Sequence, residues 1–231
     1  MNLITGPLVD ARAARRPRHV VLEGRWTTVM GLSPNVHAGQ LFEALQGAEH
    51  LWTYLSSGPF TDRAAFEAYV SSNATSDDPL FFALVDNSTK QAVGQAALLR
   101  IEPTHRVIEI GHILYSPRLQ RTRIATEANY LFARHVFDDL GYRRYEWKCN
   151  ALNEASRNAA LRLGFTFAGV FRQHMIVKGR NRDSAWLSML DTEWPARREE
   201  FERWLSPDNF NAAGEQLSPL RQASRGHVAK V

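Results

Sequence analysis

The stretch 107–165 limits the fold of this chain more than any other part of it. It opens with V-I-E-I-G-H-I-L, an apolar and β-branched run that reads as a strand. The basic, hydroxyl-bearing turn S-P-R-L-Q-R-T-R follows. A helix is expected from near Thr122, with Ile124, Ala128, Leu131, Phe132 and Val136 on one face at helical spacing. Gly141 stops it in the left-handed conformation that glycine takes cheaply. The short strand Y-E-W-K-C comes next, then the polar turn N-A-L-N-E-A-S and a second helix that Gly164 stops. The first N–H groups of a helix have no partner inside it, so a strand feeding a helix through such a turn is a place to hold phosphate. Two such steps in a row put a ligand between the two strands.

The rest of the chain builds a sheet around this unit. Residues 24–32 have strand composition. Ser33-Pro34 starts a helix with Val36, Leu41 and Leu45 on its apolar side, and Thr61 or Asp62 caps another with Ala65, Phe66, Tyr69 and Val70 as its stripe. Strands are expected at 80–85 and 92–101, which with 107–114 make an antiparallel meander. Residues 166–190 read as two strands joined by the turn K-G-R-N-R-D, and Pro195 opens a charged helix holding Phe201 and Trp204. Antiparallel strands, then strand–helix–strand–helix, then a closing hairpin give an α+β, mixed-sheet domain. A doubly wound nucleotide fold is disfavoured, since G-x-G-x-x-G is absent. Three parts are expected: a flexible segment at 1–19, one domain over 20–205, and a disordered polar tail from 206 to 231.

Composition narrows the function classes. With 231 residues, 44% hydrophobic and 23% charged, there is enough for one sizeable core. A single Cys forbids an intramolecular disulfide and suits a reducing, cytoplasmic compartment. No apolar run is long enough to span a membrane. The charge of +4 and the pI of about 9.5 fit a solvated surface plus a pocket for a phosphorylated cofactor. They also fit an RNA- or ribosome-binding protein, but no nucleic-acid motif accompanies them.

The stretch E-I-G-H-I-L at 109–114, N-E-A-S-R-N-A-A-L-R-L-G-F at 153–165, and the order of elements resemble the GCN5-related N-acetyltransferase superfamily. Within it the chain is most similar to the RimJ/RimL-type branch, over roughly residues 22–194. The resemblance implies a mixed, mostly antiparallel sheet flanked by helices, whose fourth and fifth strands splay apart around acetyl-coenzyme A. It implies acetyl transfer to a primary amine, on a protein N-terminus or a small molecule, by direct attack in a ternary complex. A homodimer is common in the family. A non-catalytic coenzyme A-binding or ribosome-associated module is the competing reading.

The resemblance also implies residue roles. Ile113, Leu114 and Tyr115 line the cofactor on the splayed strand. Gln120, Arg121, Thr122, Arg123, Ile124, Ala125 and Thr126 form its phosphate turn, and Asn153 and Ser156 meet it at the second helix. The family loop reads Q/R-x-x-G-x-G/A and this chain has Q-R-T-R-I-A, so Arg123 stands where glycine is usual. The usual tyrosine acid is replaced by Ala160, and Ser156 matches the serine that the RimL-type branch places at this helix start. Ser156 is therefore the expected proton donor to the departing thiolate, although a serine in a first turn is also plain capping. Glu109, in an apolar strand, is the expected base, with a structural ion pair as the other reading. By alternation His112 points to the opposite face from Glu109 unless the strand bulges. Cys149 matches a cysteine of some RimL-type members and would order the attacking group, or serve as a small buried hydrophobe. Trp52, Tyr54, Phe60, His112, Arg172 and His174 are expected to shape the acceptor site, with plain core as the other reading of the aromatics in 49–60. No metal ligands are assigned.

Overall fold

The computed structural model describes residues 6–220 of the chain. Parts of the expected flexible start and disordered tail, residues 1–5 and 221–231, lie outside the described residues.

The elements run β1 (Leu22–Glu23), β2 (Thr27–Gly31), α1 (Pro34–Ala44), α2 (Arg63–Ala74), β3 (Leu80–Asp86), β4 (Gln91–Glu102), β5 (Val107–Tyr115), α3 (Arg123–Arg134), β6 (Arg144–Asn150), α4 (Glu154–Arg162), β7 (Thr166–Val177), β8 (Arg180–Leu190) and α5 (Trp194–Trp204). The strands form one sheet in the order β1-β2-β3-β4-β5-β6-β8-β7. Every pairing is antiparallel except β5 with β6. This is the mixed α+β architecture expected. Its one parallel step is forced by α3, since a parallel neighbour needs a crossover.

Helices cover both faces of the sheet. On one face α3, α4 and α5 pack on Ile108, Ile110, Tyr145, Trp147 and Leu187. On the other, α1 and α2 pack on Phe81, Ala83, Ala97 and Leu114. In α1 the inward residues are His37, Ala38 and Leu41, whereas Val36, expected on the apolar side, is exposed. The helix α3 ends in a π-helical turn at His135–Asp139, and Gly141 (φ +79°) breaks it as expected. None of the described helices is long and apolar enough to cross a membrane.

Both described ends are more ordered than composition implied. The Ala14 and Arg15 N–H groups donate to the Pro103 and Leu140 carbonyls at 3.0 and 2.9 Å. After α5 the chain folds back: Phe210 packs edge-on against Trp204 (5.1 Å) and Trp26 (5.6 Å), and Leu220 is buried. The polar residues of this segment satisfy its own turns and bond to α5. Asn209 Nδ2 donates to the Trp204 carbonyl, and Trp204 Nε1 donates to Gln216 Oε1. This is why polarity there did not mean disorder.

One side chain clasps α3 to the β1–β2 corner. The buried Glu127 carboxylate accepts the N–H groups of Arg25, Trp26 and Thr27 at 2.8, 2.7 and 2.8 Å. Gly24 is needed beside it, because a Cβ there would lie 2.5 Å from the Glu127 carboxyl carbon. Glu127→Ala leaves three donors without their acceptor and should cost about 3 kcal/mol or more. An unfolding free energy from urea denaturation within about 1 kcal/mol of the parent protein's would contradict this role.

Candidate functional site

The strands β5 and β6 pair only along their first halves, Val107↔Arg144 to Ile110↔Trp147. Beyond that point β5 stays with β4 (Gly111↔Ala97, Leu114↔Gln95), while β6 stays with β8 (Lys148↔Trp186, Asn150↔Ser184). A gap therefore opens between the outer halves, at the strand ends from which α3 and α4 depart.

A bulge shapes one wall. Ala97 opposes Gly111 and Gln95 opposes Leu114, so His112 and Ile113 together face Ala96. His112 sits at φ +49°, and its ring packs on Phe81 at 5.1 Å. Phe81 belongs to the α1/α2 face, the face on which Glu109 falls by alternation from Ile108 and Ile110. The strand bulges, so His112 and Glu109 share a face; strict alternation put them apart.

At one end of the gap lies the start of α3. Thr122 is its N-cap, accepting the Ala125 N–H at 3.3 Å and donating to the Leu119 carbonyl at 2.7 Å. Arg121 takes a left-handed φ of +60°. The Arg123 and Ile124 N–H groups donate to no acceptor among the described residues, which is the arrangement that receives an anion at a helix start. The Arg123 guanidinium leaves the site, lying 5.0 Å from the Trp26 ring and 5.5 Å from that of Phe210. A residue larger than glycine is accommodated here because its bulk is used to hold the C-terminal fold-back. Gln120 donates its side-chain amide to the Tyr115 carbonyl and braces the turn. Tyr115 itself is fixed from α3 by Asn129, whose Nδ2 donates to its hydroxyl at 2.9 Å, and burial pushes that hydroxyl well above the usual phenol range.

Two of the expected phosphate-turn contacts differ. Thr126 is buried, its hydroxyl taken by Arg162 Nη1 (3.0 Å) and directed to the Thr122 carbonyl, so it supports the turn from behind. Ala125 is likewise buried.

At the α4 start, Asn153 caps the helix by accepting the Ser156 N–H at 3.0 Å. Ser156 Oγ accepts the Trp147 indole N–H at 3.0 Å, so its own proton is directed elsewhere, with the Cys149 sulfur within reach. Cys149 lies on this same α3/α4 face by alternation from Trp147. Burial pushes its thiol up, and Ser156 and the cations Arg182 and Arg157 partly offset that.

On the other face Glu109 is 2% exposed. Arg100 Nε and Lys148 Nζ stand 3.4 and 3.5 Å from its Oε2. These are ion-pair distances at the edge of hydrogen-bond range, and that oxygen has no well-aligned hydrogen bond among the described residues. Burial raises the Glu109 carboxyl to about 7, against the opposing pull of Lys148 and Arg100; Glu146 adds to the rise. Burial likewise lowers Lys148, while Glu109 pulls it back up.

The expected acceptor-side residues divide. Tyr54 donates to the Leu152 carbonyl at 3.2 Å, bridging from the segment after a 3-10 turn (Glu49–Trp52) to the β6–α4 turn. His174 meets Trp186 edge-on (5.9 Å), with Nδ1 2.9 Å from Ser184 Oγ, and the bulge in β7 lies beside it. Trp52, buried, and Phe60, half-buried, pack with Phe66 and Tyr69 in an aromatic cluster. Arg172 is exposed beside Asp183, away from this group. Sequence reasoning missed Arg100, Lys148, Arg182 and Trp186. The one available signal was a lysine in the apolar strand Y-E-W-K-C.

Residues 31–166 match the family model described as an acetyltransferase (GNAT) domain. A GCN5-related N-acetyltransferase from Brucella melitensis is similar at 47% identity, covering 90% of this chain and 96% of that one, with a TM-score of 0.89. A structure described as a probable GNAT-family acetyltransferase from Chromobacterium violaceum is 37% identical, over 84% and 98%, with a TM-score of 0.77. An acetyltransferase from Salmonella typhimurium that modifies the N-terminal serine of a 50S ribosomal subunit protein shares the fold at 18% identity, over 74% and 99%, with a TM-score of 0.64. Comparison with curated proteins gives no match.

The buried carboxyl can be followed directly. The folded protein holds its proton to about pH 7, and an unfolded chain releases it near 4.5. The unfolded state thus binds fewer protons between those values, and the stability this group contributes falls as pH rises from 4.5 to 7. A carbon-detected NMR titration should find Glu109 inflecting near 7, and higher still in Lys148→Met. An inflection near 4.5 would remove Glu109 as a group poised at neutral pH.

Proposed function

Since the chain belongs to the acetyltransferase (GNAT) domain family, we propose that it transfers acetyl from acetyl-coenzyme A directly to a primary amine while holding both. It is an acetyltransferase enzyme, and its family uses acetyl-coenzyme A as cosubstrate. The finer placement in the RimJ/RimL-type branch rests on the N-E-A-S helix start and on Ser156 in place of the usual tyrosine. The observation that carries the reading is the gap between β5 and β6, with a hydroxyl donor at its α4 side and a raised carboxyl on the opposite face.

The residues fit the cosubstrate. A pyrophosphate needs convergent donors, and the free Arg123 and Ile124 N–H groups at the positive end of α3 supply them. Arg118 and Arg121 add charge on the same turn. The bulged backbone of His112 to Leu114 lines the gap, where its N–H groups suit a carbonyl oxygen that gains charge. Acetyl-coenzyme A supplies the acetyl group already activated as a thioester.

The chain's own groups then handle two protons. The acceptor amine must lose one to attack, and Glu109 takes it, directly or through a water, because its ordinary pKa has been moved to where it is half ionised at neutral pH. Lys148 and Arg100 keep that carboxylate from rising further. The leaving sulfur must gain a proton, and Ser156 Oγ, which accepts the Trp147 indole N–H, gives it; the second proton shed by the attacking nitrogen as the amide forms restores the hydroxyl. Tyr54 and the Trp52 carbonyl, which Lys178 Nζ holds at 2.8 Å, pin the covering segment above the gap.

In a thiol-release assay with acetyl-coenzyme A and a panel of primary amines, Glu109→Gln should lower kcat by about 10²–10⁴ and abolish the rise of rate through pH 7. Ser156→Ala should lower kcat on the same scale while coenzyme A binding is kept. Failure of every amine to release thiol, or full activity in both variants, would contradict the proposal.

A further inference from the structure

The acceptor face of the gap carries more positive charge than acetyl transfer by itself requires. Two basic side chains pack on one indole, and a third shares its face. Arg100 Cζ lies 5.3 Å and Lys148 Nζ 5.0 Å from the Trp186 ring. Arg182, on β8, falls on the same face as Ser184 and Trp186 by alternation, and its charge is felt by Lys148, His112 and His174. The single carboxyl set among them is Glu109. The neighbouring acids are engaged elsewhere: Glu146 accepts from Arg144 at 2.6 Å, and Asp183 accepts the Gln173 N–H and the Asn181 amide.

Two donors within this group are buried without an acceptor among the described residues, Arg182 Nε and Trp186 Nε1. A buried donor left unpaired costs about 1–3 kcal/mol, more when it is charged. A fold that keeps two such donors, one of them on Arg182 itself, beside the two further cations Arg100 and Lys148 is arranged for an oxyanion that arrives with a ligand. His112 and His174 are held toward the neutral form by burial and by these same cations, so they add no opposing charge.

We propose that this cluster seats a carboxylate of the acceptor, so that the favoured substrates are amines bearing a nearby carboxylate. Free amino acids and peptides with acidic first residues share that chemistry; polyamines lack it and are repelled. The inference rests on the N-acetyltransferase reading and assigns Arg182 and Trp186 to anion recognition, with Arg100 and Lys148 serving both the anion and Glu109.

The test compares matched acceptors by thiol release: glutamate against its diamide, and a short peptide with aspartate and glutamate after its N-terminus against the same peptide with asparagine and glutamine. Spermidine is the cationic control. The carboxylate form should exceed its amide in kcat/KM by about 10- to 100-fold, as expected for charge-assisted hydrogen bonds. Arg182→Gln should bring that ratio toward one without changing coenzyme A affinity, whereas Arg63→Gln on α2 should leave the ratio unchanged. The arm that shows the ratio separates free amino acids from peptides. Equal turnover of each pair, or spermidine as the best acceptor, overturns the proposal and leaves acetyl transfer standing. Should no amine turn over, binding of glutamate and its diamide to the coenzyme A-saturated protein is read by tryptophan fluorescence. Arg182-dependent preference for glutamate supports the anion site while acetyl transfer falls; no preference sinks both.

Discussion

Everything in this molecule depends on two parallel strands that begin as partners and end apart. The strands β5 and β6 share a ladder for four residues each, and then each commits to its other neighbour. Backbone groups inside a sheet are ordinarily paired, so a gap within a sheet is expensive unless something fills it. The antiparallel contacts on either side keep the gap open. The β4–β5 pairing continues past the bulge at His112, and the β6–β8 pairing runs the full length of β6. The crossover helix α3 starts at the open end, so its unpaired N–H groups, the bulged backbone and the α4 start converge on one space.

The gap joins two chemically unlike faces. The α3/α4 face offers neutral donors: the Ser156 hydroxyl, held by the Trp147 indole, and the thiol of Cys149. The α1/α2 face offers charge: Glu109 with Lys148 and Arg100 at ion-pair range. A carboxylate buried this deeply would be intolerable alone, and with full hydrogen bonding it would be driven fully ionised. Two cations at the outer edge of hydrogen-bond range, 3.4 and 3.5 Å away, hold it between those limits. The separation of roles follows from the period of the strands, since Trp147 and Lys148 are consecutive residues and must face opposite ways.

Much of this was legible in the sequence, and the parts that were not share a physical cause. The strand–turn–helix unit, its Thr122 cap, the Asn153 cap and the glycine stops are local signals and appear where local chemistry put them. Glu109 stood out as a carboxyl in an apolar strand. The bulge did not, because nothing in E-I-G-H-I-L except a glycine marks it, and the direction of His112 was open for that reason. The path of Arg123 was hidden as well. Its partners Trp26 and Phe210 come from opposite ends of the chain, and the latter sits in a segment whose polar composition read as tail. The cluster of Arg100, Lys148, Arg182 and Trp186 is drawn from three strands, and only sheet order brings them together. Trp52 and Phe60 show the reverse case: an aromatic-rich segment near a site whose rings turn inward to the core.

The central claim is that the parted strands and the α3 start form one slot for a phosphate-bearing thioester. An amide-detected NMR titration with coenzyme A tests it most directly. The account predicts that the N–H resonances of Arg123, Ile124 and the 112–114 bulge move together, in slow or intermediate exchange, while β1 and β2 stay still. Shifts confined to other parts of the chain, or none at saturating coenzyme A, would contradict it.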